Sequence, residues 1–142
     1  MRGACRKEDG IQGVIRVTKV RDVMTGRVTV VKVDTDVQRI CKMLIKNRVS
    51  GLPVVDKKER LVGFVSERDI IGAVGSKNFL KKKAKDVMSK KVVSVPEELK
   101  VEEVSRIFTE KPYRYLPVTK GGKVAGIISR KDVINRLVGQ YY

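Results

Sequence analysis

Histidine is missing from this chain, and so is tryptophan. Without histidine there is no Ser-His or Cys-His nucleophile pair and no imidazole to act as general acid or base. Cysteine occurs only at Cys5 and Cys41. Neither belongs to a C-x-x-C pair, so zinc ligation has no support. Cys41 falls on the apolar face of a helical pattern and reads as core, whereas Cys5 lies in a polar N-terminal segment and reads as a free thiol. Long apolar runs are missing too: none approaches the roughly 20 residues a membrane helix needs. The start, MRGACRKEDGIQG, lacks the apolar stretch of a secretory signal. A soluble, cytoplasmic protein without metal or membrane contact is expected. Neither G-x-x-x-x-G-K-[ST] nor G-x-G-x-x-G occurs, which removes the usual machinery of nucleotide hydrolysis and hydride transfer.

What is abundant is charge. Of 142 residues, 34% are charged and 42% apolar, enough for a core under a heavily charged surface. The net charge is +16, which favours anionic partners: nucleotides, nucleic acid or an acidic protein. Residues 1–70 hold 16 basic and 9 acidic residues and residues 71–142 hold 16 and 7, so neither half is a basic tail. The densest stretch is KNFLKKKAKDVMSKK, Lys77 to Lys91. It reads either as a solvated linker and first helical turn or as a phosphate-backbone patch. Aromatics, at 5%, offer few stacking platforms for single strands.

The chain repeats itself. RDVMTGRVTVVKVDTDV (Arg21–Val37) matches KDVMSKKVVSVPEELKV (Lys85–Val101), and VSGLPVV (Val49–Val55) matches YRYLPVT (Tyr113–Thr119), both 64 residues on. GFVSERDI (Gly63–Ile70) matches GIISRKDV (Gly126–Val133) 63 residues on, one residue having been lost in the turn between DKKER and KGGK. Each copy predicts a short turn carrying Asp-Val-Met and then a short strand, Thr29–Val31 or Val92–Val95. A helix follows with inward Val37, Ile40, Cys41, Leu44 and Ile45, or Val101, Val104, Ile107 and Phe108. Asp34, or Pro96 and Glu97, are its expected start signals. Two short strands come next, then a helix from Ser66 to about Gly75 or from Ser129 to about Gly139. The order is β-α-β-β-α, twice, an α/β chain of α+β type. One such unit cannot bury both faces of its sheet, so two packed sheet to sheet with pseudo-twofold symmetry are expected. The expected division is an extension at 1–17, repeats at 18–76 and 85–138, a basic linker at 77–84 and a tail at 139–142.

Serine at the strand-to-helix turn with aspartate three residues on is a capping box: Ser66 with Asp69, Ser129 with Asp132. The same atoms suit a nucleotide. A carboxylate in the first turn can accept from both ribose hydroxyls, while Arg68, Arg130 and Lys131 stand ready for phosphate. A serine nucleophile has little to work with: GFVSE lacks the closing glycine of a G-x-S-x-G elbow, no histidine can activate it, and only a Ser-Lys pairing with Lys131 stays open, with nothing else in its favour.

DVM, then RVSGLPVVD, then GFVSERDI, and again DVM, YRYLPVT and GIISRKDV, resemble a tandem pair of cystathionine-β-synthase (CBS) domains, a Bateman module. The resemblance spans about residues 18–138. It implies a non-catalytic regulatory module that needs no cofactor and binds an adenosine ligand: AMP, ADP, ATP or S-adenosylmethionine. One cleft would use Asp132 for ribose, Ser129 and Lys131 near phosphate, Met24, Val28 and Thr29 around adenine, and Val49, Ser50 and Gly51 as a wall. The other would use Asp69, Ser66 and Arg68, with Met88, Val92 and Val93, and Tyr113, Arg114 and Tyr115 as the bulkier wall. It also implies a homodimer and a separate effector protein. A basic nucleic-acid-binding protein is the alternative the net charge keeps open.

Overall fold

A computed structural model describes residues 18–141, so the N-terminal extension with Cys5 lies outside the described residues. The chain divides into two compact units that do not coincide with the two sequence repeats. Among the described residues, the first unit holds 18–28, 94–120 and 125–141, and the second holds 29–93 and 121–124.

In the second unit, β1 (Val31–Lys32) runs parallel to β2 (Gly51–Val55), which pairs antiparallel with β3 (Leu61–Ser66). Between β1 and β2 lies α2 (Val37–Asn47), and α3 (Glu67–Gly72) follows β3. β2 is buried along its whole length because it is the central strand, which is why LPVV reads as an unbroken apolar run. α2 turns Val37, Ile40 and Leu44 into the core. Each buried aliphatic contributes about 1.5–3 kcal/mol. Ile45, expected on that face, is 78% exposed. It follows Leu44 by 100° of helix rotation and leaves the stripe.

The second repeat follows the same pattern with β4 (Val95–Pro96), α5 (Val101–Glu110), β5 (Tyr115–Lys120), β6 (Lys123–Ser129) and α6 (Arg130–Tyr141). Val101, Val104 and Phe108 are buried on α5. The first strands are shorter and later than expected. Pairing begins only at Val31↔Val54 and Val95↔Val118, so Thr29, Val30 and Val92–Ser94 stay outside the ladder. The helix starts also move. Asp36 rather than Asp34 accepts from the Arg39 N–H at 2.8 Å, and Lys100 rather than Pro96 or Glu97 precedes α5. α3 stops at Gly72, short of Gly75, and α6 runs past Gly139.

The deletion between repeats is absorbed in a turn. In the longer copy Asp56 accepts from the Lys58 and Arg60 N–H groups and from Arg60 Nε. The Arg60 N–H is the largest cause holding its carboxyl below the usual range. Glu59 there takes φ +66°. The shorter copy meets the same demand with Gly121 and Gly122 at φ +59° and +80°.

The departure from the sequence repeats concerns the Asp-Val-Met segments. α1 (Val20–Val23) belongs with the sheet of the second repeat, and α4 (Ala84–Val87) with that of the first. Val20 N–H donates to the Leu99 carbonyl at 2.8 Å and Arg21 N–H to Glu97 at 2.9 Å, and Val101 N–H returns a bond to Thr18 at 3.1 Å. The other unit mirrors this: Ala84 N–H reaches Thr35 at 2.8 Å, Lys85 N–H reaches Val33 at 3.0 Å, and Val37 N–H reaches Lys82 at 2.8 Å. Asp22 and Asp86 accept from the Lys19 and Lys83 N–H groups at 2.9 and 2.8 Å, holding an orphan donor at each helix start.

Candidate functional site

Each candidate site is built where a strand carrying Gly-h-h-Ser runs into a helix. In the first unit β6 delivers Ser129 to the start of α6. Asp132 N–H donates to Ser129 Oγ at 3.1 Å, and Ser129 N–H donates to Asp132 Oδ2 at 2.8 Å. In the second unit Asp69 N–H donates to Ser66 Oγ at 3.2 Å and Ser66 N–H to Asp69 Oδ2 at 2.9 Å. There the Ser66 hydroxyl also lies 2.9 Å from Oδ2. The capping box expected from Ser-x-x-Asp is therefore formed twice. It engages one carboxylate oxygen only. Among the described residues neither Oδ1 accepts a protein hydrogen bond, and both aspartates are half-buried. A fixed carboxylate with a free oxygen is what a ribose diol needs.

The Asp-Val-Met segments close on these strands. Thr25 and Ile127 exchange both backbone bonds at 2.9 Å, and Phe64 and Ser89 exchange theirs at 3.0 and 2.9 Å. Such an approach leaves no space over the glycine. A Cβ on Gly126 would stand 2.6 Å from the Thr25 carbonyl oxygen and 2.7 Å from Met24 Sδ. One on Gly63 would overlap the sulfur of Met88. So Met24 lies over Gly126 on β6, the strand that leads into the Ser129–Asp132 box, with Val28 in the same unit, and Met88 lies over Gly63 on β3, the strand that leads into the Ser66–Asp69 box, with Val92 and Val93 in the same unit. Thr25, Ser89 and the two glycines were not singled out from the sequence. Their signal is the co-occurrence of D-V-M-[T/S] with G-h-h-S in both copies.

The walls are held by their own repeats. Glu67 N–H donates to the Ser50 carbonyl at 2.8 Å and Gly51 pairs with Ser66, so Val49–Gly51 flank the start of α3. Arg130 N–H donates to the Arg114 carbonyl at 3.3 Å, so Tyr113–Tyr115 flank the start of α6. The resemblance assigns each wall to the aspartate of the opposite repeat; the structure places each in the unit of its own. Thr29 also lies in the second unit, where its hydroxyl donates to Asn47 Oδ1 at 3.4 Å. Tyr113 packs on the core of the first unit.

The cations divide. Arg130, a phosphate candidate by sequence, is committed elsewhere: its Nη2 donates to the Phe108 carbonyl at 3.0 Å and to Lys111 at 3.3 Å, closing the end of α5. Arg68 and Lys131 are exposed, and neither is ion-paired among the described residues. Cys41 is half-buried against the core, and desolvation pushes its thiol up, away from reactivity. Among the described residues no group of three His, Cys, Asp or Glu could hold a metal, and no helix is long and apolar enough to cross a membrane.

The CBS domain family's sequence profile matches residues 20–76 and 84–139. The uncharacterised protein YlbB of Bacillus subtilis is 34% identical over 119 residues, which cover 82% of this chain and 80% of that protein. A crystal structure of CBSX2 in complex with AMP is 31% identical, with a TM-score of 0.78, covering 87% of this chain and 98% of that one. The CBS domain pair of protein MJ0100, in complex with 5'-methylthioadenosine and S-adenosyl-L-methionine, is 26% identical with a TM-score of 0.70, covering 89% and 99%. With both repeats matched and small proteins of the same build alike along most of their length, the chain belongs to the CBS domain family as a tandem pair.

Proposed function

We propose that this protein is a regulatory module that binds adenosine ligands and performs no chemistry on them. The single observation that carries the reading is the twice-built Ser/Asp box whose aspartate keeps Oδ1 open. Asp132 in the first unit and Asp69 in the second accept the ribose hydroxyls. Met24 and Val28, and Met88, Val92 and Val93, supply apolar surface to the base. Ser129 with Lys131, and Ser66 with Arg68, serve the phosphates. Thr29, Val49, Ser50, Gly51, Tyr113, Arg114 and Tyr115 enter as further contacts by resemblance. The ligands held by CBSX2 and MJ0100 support the adenosine class.

Ligand occupancy then shifts the population of states presented to a separate effector protein. A homodimer is part of this reading. Its support is apolar surface on the terminal helices: Ile71 of α3 is 71% exposed and Ile134 of α6 57%.

A thermal-shift screen of AMP, ADP, ATP, S-adenosylmethionine and GTP tests the class. A ligand at about 100 times its Kd stabilises the folded state by about 2.7 kcal/mol. That raises Tm by roughly 5–10 °C for a domain of this size. At least one adenosine ligand should do so with GTP inert; no shift with any of them at millimolar concentration contradicts the proposal.

A further inference from the structure

The net charge of +16 is not evenly placed. Residues 37–48 and 77–91 together carry eleven cations and one acid, a net +10 in segments that both lie in the second unit. They are adjacent there. Val37 N–H donates to the Lys82 carbonyl, the backbones of Asp36 and Lys83 form an isolated antiparallel bridge, and Phe79 packs into the core that α2 covers. Asp86, the acid, accepts from the Lys83 N–H. Asp36 caps α2, and Asp34 at the edge is the other nearby acid in that loop. Arg39, Lys42, Lys46, Lys81 and Lys83 are exposed, and none forms an ion pair among the described residues. The repeat offers an internal comparison. α5 stands where α2 stands, but residues 101–112, equivalent to 37–48, bear Glu102, Glu103 and Glu110 against Arg106 and Lys111, a net −1 in place of +4. Duplication kept the fold and reversed the charge, so the cationic face is not a property of the ligand site.

We propose that this face of α2 and the 77–91 segment is a second binding surface, for the phosphate backbone of duplex nucleic acid. Unpaired lysines of one sign suit a regular polyanion, whose condensed counterions they release. Phe79 is turned into the core, leaving no aromatic platform in the segment for the bases of a single strand. A protein partner is less well matched. Protein interfaces deplete charge at their centre, whereas Ile45 and Leu80, exposed here, sit among cations.

Fluorescence anisotropy with a 20-base-pair DNA duplex across a salt series tests the proposal. With about four phosphates neutralised, affinity should fall about 100-fold between 50 and 200 mM salt. The triple variant Lys42→Glu/Lys46→Glu/Lys81→Glu should weaken binding at 50 mM at least about 30-fold, and the corresponding Gln triple should lower the salt slope. A control with the same charge change in the first unit, Lys100→Glu/Arg106→Glu/Lys111→Glu, should stay within about threefold. Circular dichroism checks that each variant folds, and the Gln triple decides if the Glu triple does not. No binding at 50 mM, equal loss in the control, or tighter binding of a polyglutamate peptide of matched charge would each overturn the proposal.

Discussion

Gly126→Val should lower Tm by roughly 5–20 °C, more than any surface change in the chain. The cost is steric. A Cβ at 126 meets the Thr25 carbonyl at 2.6 Å, and that oxygen is already fixed by the Ile127 N–H at 2.9 Å. A backbone atom in a reciprocal pair cannot swing aside, so the 24–28 segment must lift. Overpacking costs about 1–3 kcal/mol, and each hydrogen bond lost adds about 0.5–1.5 kcal/mol. Gly63→Ala should cost less, about 1 kcal/mol, because its nearest neighbour is the flexible side chain of Met88, with the Ser89 carbonyl at 3.1 Å. Thermal unfolding by circular dichroism ranks the two. A Gly126→Val variant as stable as wild type would show that the Asp-Val-Met segment does not lie on β6.

Asp132→Asn should weaken AMP binding at the Asp132 site about 10- to 100-fold, leaving the Asp69 site to bind, while Tm moves by only a few degrees. The separation follows from the two oxygens. The asparagine carbonyl can still accept from Ser129 N–H, which Oδ2 does at 2.8 Å in the wild type. Its amide then replaces Oδ1 and presents donors where a ribose presents donors. Losing a charged acceptor costs about 1.5–3 kcal/mol. Asp132→Ala removes both functions and should add about 1 kcal/mol of lost cap. Calorimetry with thermal unfolding separates these effects; an Asn variant that keeps both the affinity and the number of AMP sites of the wild type would remove Asp132 from the site.

Much of this was legible because the chain is written twice. LPVV and LPVT are legible because a central strand is apolar along its buried length, and LVGFV and VAGII because each is an apolar run joined to its neighbour by a short turn. The capping boxes were legible because Ser-x-x-Asp is a local pattern and a local bond. Other features depended on partners far away in sequence. Nothing near Asp22 or Asp86 says that each Asp-Val-Met helix bonds to the loop of the other repeat, with Val20 reaching Leu99 and Ala84 reaching Thr35. The short β1 and β4 are bounded by where β2 and β5 can pair, and β propensity in Thr29–Val31 and Val92–Val95 does not know that limit. Arg130 looked like a phosphate ligand because it neighbours Ser129. Its role at the end of α5 needed the tertiary approach of two helices. The glycines of GFVS and GIIS carry positional meaning only once the methionines lie over them.

The central claim is that the two aspartates hold adenosine ligands through the oxygen their capping boxes leave free. Calorimetric titration of AMP into the wild type and into Asp69→Asn/Asp132→Asn tests it most directly. The account predicts saturable binding to the wild type and none measurable to the double variant, whose unfolding transition stays cooperative. Equal AMP affinity in the two proteins would contradict it.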